Sequence, residues 1–233
     1  MSGVVLLSAL AMACGGSDPA RDTASTTKPA SPPESPAQAV DSVSTALDGR
    51  RTILFLGTSL TAGLGLEPDS AYPQHIQRKI DASGFPYQVV NAGVSGETSA
   101  GLLRRLDWVL RRPADVIVVE TGANDGLRGL AVGATRATIG QVLTRIRQAR
   151  PDATVLLVQM EAPPNLGQEY TSTFRAMFPE LAREQGVALL PFLLEGVAGE
   201  PRLNQNDGIH PNNDGERIVA ENVWRALRPA LRR

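Results

Sequence analysis

A chain of 233 residues, 42% hydrophobic and 20% charged, carries apolar material for one sizeable core and not two. Its 23 Lys and Arg balance 24 Asp and Glu to a net charge of −1, so there is no electrostatic case for nucleic acid as a partner, and no acidic or basic ligand is implied. Cys14 is the only cysteine, which excludes an intramolecular disulfide.

In chain order, Val4 to Ala13 is an apolar run interrupted only by Ser8 and ending in small residues. This is a signal-peptide pattern, short of the roughly 20 apolar residues that a membrane-spanning helix needs. Leu10-Ala11-Met12-Ala13-Cys14-Gly15 resembles a bacterial lipoprotein lipobox, which implies that Cys14 is lipidated and that the protein is exported to the periplasm or cell envelope. Ala11 stands where Leu is usual, and the opening Met-Ser-Gly lacks the usual Lys or Arg. A simple secretory signal with an incidental cysteine stays open. Residues 15–49 are rich in Ser, Thr, Ala and Pro, including Pro32, Pro33 and Pro36, and cannot bury a core. They read as a disordered, extended tether after a signal segment at 1–14, with one folded domain over 50–233.

Within that domain, Thr52 to Leu56, Gln88 to Val90, Val116 to Glu120, Thr154 to Gln159 and Val187 to Leu190 are short apolar runs bounded by turn residues, as strands are. Helical spacing lies between them at Ile76 and Ile80, at Leu102, Leu106 and Leu110, and at Ile139, Val142 and Ile146. A last helix starts near Asn212 or Asn213. Strands alternating with helices predict a three-layer α/β/α domain around a parallel sheet of about five strands. Ligands in such folds bind beyond the carboxyl ends of the strands, so the residues after each strand are the ones to inspect.

Gly57-Thr58-Ser59-Leu60 follows the first strand, Asn91-Ala92-Gly93-Val94-Ser95-Gly96 the second, and Thr121-Gly122-Ala123-Asn124-Asp125-Gly126 the third. Asp207-Gly208-Ile209-His210-Pro211-Asn212 precedes the final helix. A serine hydroxyl is a poor nucleophile until a base takes its proton, and the chain has two histidines. His75 falls in a helical pattern and reads as a helix-surface or partly buried residue, which leaves His210 as the base for Ser59. Asp207 is placed to orient the imidazole and stabilise the imidazolium, although a turn and helix-cap use of Asp207 and Asn212 is an ordinary alternative. Gly96 suits a backbone N–H donor to a developing oxyanion, and Asn124 suits a neutral side-chain donor. Each has a plain turn-forming alternative. What persuades is their joint occurrence at strand ends.

These residues resemble the GDSL, or SGNH, hydrolase family, whose Ser, Gly, Asn and His correspond in order to Ser59, Gly96, Asn124 and His210. The chain most resembles the bacterial periplasmic acyl-CoA thioesterase, lysophospholipase and arylesterase group, through ILFLGTSLTAG, VVNAGVSGETS, GANDGLRG, the PPNLGQEY stretch and DGIHPN, over about Thr52 to Leu227. The resemblance implies a flavodoxin-like sheet, no metal and no cofactor, and an oxyanion hole from the Ser59 and Gly96 N–H groups plus the Asn124 side chain. Thr58 stands where the first block usually has Asp, which predicts altered hydrogen bonding around the nucleophile turn. Ala123 stands where the third block often has Gly, which predicts a slightly narrower pocket.

The loop from Glu161 to Glu169, with Pro163, Pro164 and Leu166, is expected to wall the acyl site, and Leu127 to form another part of it. The expected activity is a serine esterase acting on a small ester, thioester or lysophospholipid through an acyl-serine intermediate. A carbohydrate O-deacetylase on the same fold and a catalytically silent lipid- or glycan-binding surface lipoprotein are the competing readings. The oligomeric state is not legible.

Overall fold

The computed structural model describes residues 49–233; the proposed Cys14 lipobox and all but the last residue of the expected tether lie outside them. The sheet has five strands: β1 (Arg51–Gly57), β2 (Tyr87–Gly93), β3 (Val116–Val119), β4 (Thr154–Gln159) and β5 (Ala188–Phe192). They run parallel in the order β2-β1-β3-β4-β5. The strands nearest the middle are apolar without alternation because helices cover both faces. Ile53 to Leu56, Val116 to Val119 and Val155 to Val158 are all buried. Exposure rises at the edges, in β2 and in β5, where Pro191 is tolerated because an edge strand has one unpaired side.

Helices α3 (Ser99–Val109), α5 (Val132–Ala149) and α6 (Gln168–Gln185) pack together, as do α2 (Tyr72–Ala82) and α7 (Asn213–Leu227). Two shorter helices, α1 (Ser59–Ala62) and α4 (Ala123–Leu127), stand directly after β1 and β3. The predicted apolar stripes are the buried ones: Ile76 and Ile80 in α2, Leu102 and Leu106 in α3, and Ile139, Val142 and Ile146 in α5. Asn212 caps α7, its side chain accepting the Asp214 and Gly215 N–H groups at 3.0 and 3.1 Å.

Residues 170–185, for which no element is predicted, form most of α6, which buries Phe174, Met177, Phe178 and Leu181 on one face. Pro179 sits inside that helix, where it removes one backbone donor, and the aromatic face outweighs this cost. The chain leaves β1 toward β2 on one side and returns to β3 on the other, so the strand order reverses beside β1. The carboxyl ends of β1 and β3 therefore flank the crevice in which open α/β sheets bind ligands.

Candidate active site

Ser59 opens α1, with Thr58 as its N-cap, and is buried to 7% exposure at the carboxyl end of β1. His210 approaches from the turn before α7. Its Nε2 lies 2.8 Å from Ser59 Oγ and its Nδ1 2.6 Å from Asp207 Oδ2. A carboxylate only accepts, so Nδ1 carries the proton toward Asp207 and Nε2 is free to accept the serine proton.

The turn that carries the histidine is largely self-bracing. Asp207 Oδ1 accepts the Ile209 and His210 N–H groups at 2.9 and 3.0 Å. Those bonds, with the one from the imidazole, hold the Asp207 carboxyl down to about 2, so it is ionised at any ordinary pH. Two bonds from Gln205 fix the turn to its surroundings: its N–H reaches the His210 carbonyl at 2.7 Å, and its side-chain amide reaches the Leu64 carbonyl, just beyond α1, at 2.7 Å.

Gly96 has a φ of 75°, a left-handed conformation that a side chain would strain. Its loop is pinned from three sides. Arg105 grips the Glu97 carboxylate through Nε and Nη2, both at 2.7 Å, Arg128 donates to the Gly96 carbonyl at 2.9 Å, and Asn124 Nδ2 donates to the Glu97 carbonyl at 3.1 Å. Since Nδ2 has two hydrogens, that bond orients the amide and leaves one hydrogen to give. Asp125, beside it, is buried and accepts the Ser99 N–H at 2.8 Å and the Ser99 hydroxyl at 2.6 Å, fastening α4 to the start of α3.

Ser59, Gly96, Asn124 and His210 line one cavity of about 460 Å³, whose apolar wall includes Leu64, Leu127, Pro163, Phe192, Leu194 and Ile209. Ala123 also lines it. Of the residues expected at the acyl site, Leu127 and Pro163 line this cavity and Leu166 does not. It lies on a 3-10 turn (Pro164–Leu166), with its side chain beside Gly129. His75 is partly exposed on α2 in a separate groove with Arg78 and Arg217. Burial and those cations lower its pKa. Among the described residues no three His, Cys, Asp or Glu side chains converge as a metal-ligand set. Gln205, Glu97, Arg105 and Arg128 were not singled out by sequence; the charged residues flanking Gly96 and Asn124 were the available signal.

An α/β/α sheet with a serine, a histidine and an aspartate hydrogen-bonded in series at its carboxyl edge defines a serine hydrolase. Residues 55–218 match the model of the GDSL-like Lipase/Acylhydrolase family, and the chain belongs to that family. It is 39% identical over 183 residues to esterase TesA of Pseudomonas aeruginosa, covering 78% of this chain and 90% of that protein. It is likewise 39% identical over 181 residues to thioesterase 1/protease 1/lysophospholipase L1 of Escherichia coli K12, covering 77% and 85%. The crystal structure of a psychrotrophic esterase, EstA from Pseudoalteromonas sp., inhibited by monoethylphosphonate, superposes with a TM-score of 0.73 at 32% identity, covering 77% of this chain and 98% of that one. The protein is accordingly a serine ester hydrolase.

Proposed function

We propose that Ser59 is the nucleophile, His210 the general base and Asp207 the residue that orients it. Ser59 Oγ attacks the acyl carbonyl while its proton passes to His210 Nε2, and Asp207 stabilises the imidazolium. The Ser59 and Gly96 N–H groups and the Asn124 amide donate to the oxyanion. His210 then returns the proton to the departing alcohol or thiol, and water, activated by the same histidine, releases the acyl group from Ser59. The relay at 2.6 and 2.8 Å opening onto an apolar cavity is the observation that carries this reading.

The substrates are single-chain esters, thioesters and lysophospholipids, supported by the apolar wall and by the names of the relatives. A panel of p-nitrophenyl esters from acetyl to palmitoyl, with acyl-CoA and lysophosphatidylcholine, tests it. Turnover that rises from acetyl toward medium chains is expected, whereas activity confined to acetyl esters would favour a carbohydrate O-deacetylase. The enzyme is exported and held at a membrane through lipidated Cys14 on its Pro-rich tether. No helix among the described residues is long and apolar enough to cross a membrane. Detergent partitioning of wild type against Cys14→Ser checks the anchor, and equal partitioning into the aqueous phase would refute it.

A further inference from the structure

The nucleophile turn is held by a buried polar network which the relay does not use, and which reaches the cavity wall at Thr58. Glu120, directly after β3, is 0% exposed. It accepts the Thr58 N–H at 2.6 Å, the Thr58 hydroxyl at 2.9 and 3.0 Å, and the Thr61 hydroxyl at 3.0 Å. Thr58 Oγ in turn accepts the Leu60 N–H at 3.4 Å, and Thr61 Oγ lies 2.8 Å from the Tyr72 hydroxyl. Ser59 is therefore bracketed by two residues tied to one carboxyl group. Gly57 provides the clearance: a Cβ there would fall 1.9 Å from Thr61 Oγ and 2.8 Å from Glu120 Oε2.

The direction of these bonds is consistent. Tyr72 gives its hydroxyl proton to Thr61, Thr61 gives its own to Glu120, and Thr58 gives both an N–H and an O–H to the same group, so a carboxylate that only accepts completes the chain. Burial pushes the Glu120 carboxyl upward, and the Thr58 and Thr61 hydrogen bonds oppose it. Among the described residues no Lys, Arg or His forms an ion pair with it. The titratable groups facing it are Tyr72, through Thr61, and beyond that Glu216, which accepts the Tyr72 N–H at 2.6 Å. A carboxyl group at position 58 would stand against Glu120, and two carboxyls that close share one proton. Threonine supplies a donor there instead.

We infer that Glu120 is the positioning residue of the nucleophile: by holding Thr58 and Thr61 it fixes the turn so that the Ser59 N–H and hydroxyl face the cavity, with Thr58 as the donor that lets a lone buried carboxylate do this. The inference rests on Ser59 being the nucleophile. Its test compares wild type, Glu120→Gln, Thr58→Val, Thr58→Ser and Thr58→Asp in the full chain, reading kcat and KM for p-nitrophenyl butyrate, the rate of Ser59 labelling by a fluorophosphonate, and the melting temperature. Glu120→Gln and Thr58→Val are expected to lower kcat and the labelling rate by about 10- to 100-fold with KM within about threefold, because the turn is misplaced while the apolar wall formed by Leu64, Leu127, Pro163 and Ile209 keeps its residues. Thr58→Ser, which restores the hydroxyl, returns kcat to within about threefold of wild type. In Thr58→Asp, kcat falls as pH rises and the second carboxyl ionises, a dependence that wild type lacks. A folded Glu120→Gln with wild-type kcat overturns the inference, as does a Thr58→Ser no faster than Thr58→Val. Should Glu120→Gln not fold, the Thr58 pair decides. Wild type left unlabelled at Ser59 removes the nucleophile reading and this inference with it; labelled wild type with unchanged variants removes the inference alone.

Discussion

Ser59 stands on a four-residue helix seated at the end of β1 and tied from behind to a fully buried carboxyl group, whereas His210 stands in a turn that supplies most of its own restraints. The two acids make the contrast plain. Glu120 is fully buried and is pushed upward by that burial, while Asp207, with its side chain 44% exposed, is held down to about 2 by N–H groups of its own turn. The nucleophile's position therefore depends on the packed sheet, and the base's position depends on a few neighbouring residues. Joining them is a 2.8 Å hydrogen bond between residues 151 apart in sequence, with Gln205 as the brace.

Breaking the bond between the halves has the largest expected effect. Ser59→Ala and His210→Ala should each lower kcat by about 10⁶-fold, and the double variant should be no worse, because the two act as a unit. Additive losses would contradict the relay. Asp207→Asn should cost about 10⁴-fold through the wrong imidazole tautomer, with little change in melting temperature because the turn is exposed. Its contribution to stability has a definite sign: the carboxyl is held below its ordinary value, so the contribution is present above about pH 4 and is lost as pH falls toward 2. Solvent screening keeps it small. Asn124→Ala should lower kcat by about 10²- to 10³-fold with KM nearly unchanged, which steady-state kinetics on a short ester will show.

Smaller effects sharpen the picture of the cavity and the core. Leu127→Ala should lower kcat/KM for octanoyl esters by about tenfold and for acetyl esters by less than about threefold, while Leu166→Ala leaves both near wild type. The smallest effect concerns Glu216, which burial raises to about 8. A carboxyl raised on folding stabilises the fold below its unfolded value and loses that contribution as pH rises through about 8, so the melting temperature of Glu216→Gln should fall less between pH 5 and 8, by a few °C.

The sheet was legible because its middle strands are buried on both faces and so read as unbroken apolar runs, and α7 because Asn212 announces its start. The residues now gathered around Ser59 were legible because each follows a strand or precedes a helix, where a local motif keeps its meaning. Helix α6 was hidden by Pro179 and by a start at Gly167 without a side-chain cap. Leu166 does not line the cavity, and loop composition alone does not say which way a 3-10 turn points its side chains. Glu120 was read as the last residue of an apolar strand, since its partners lie 59 and 62 residues away and nothing local marks them. The grip of Arg105 on Glu97 was likewise unreadable, because a charged pair eight residues apart becomes informative only once the loop's path is known.

The most direct test is peptide mapping of wild-type protein after reaction with a fluorophosphonate. A single adduct is expected, on Ser59, forming far more slowly in His210→Ala and absent in Ser59→Ala. An adduct on another residue, or none, would contradict it.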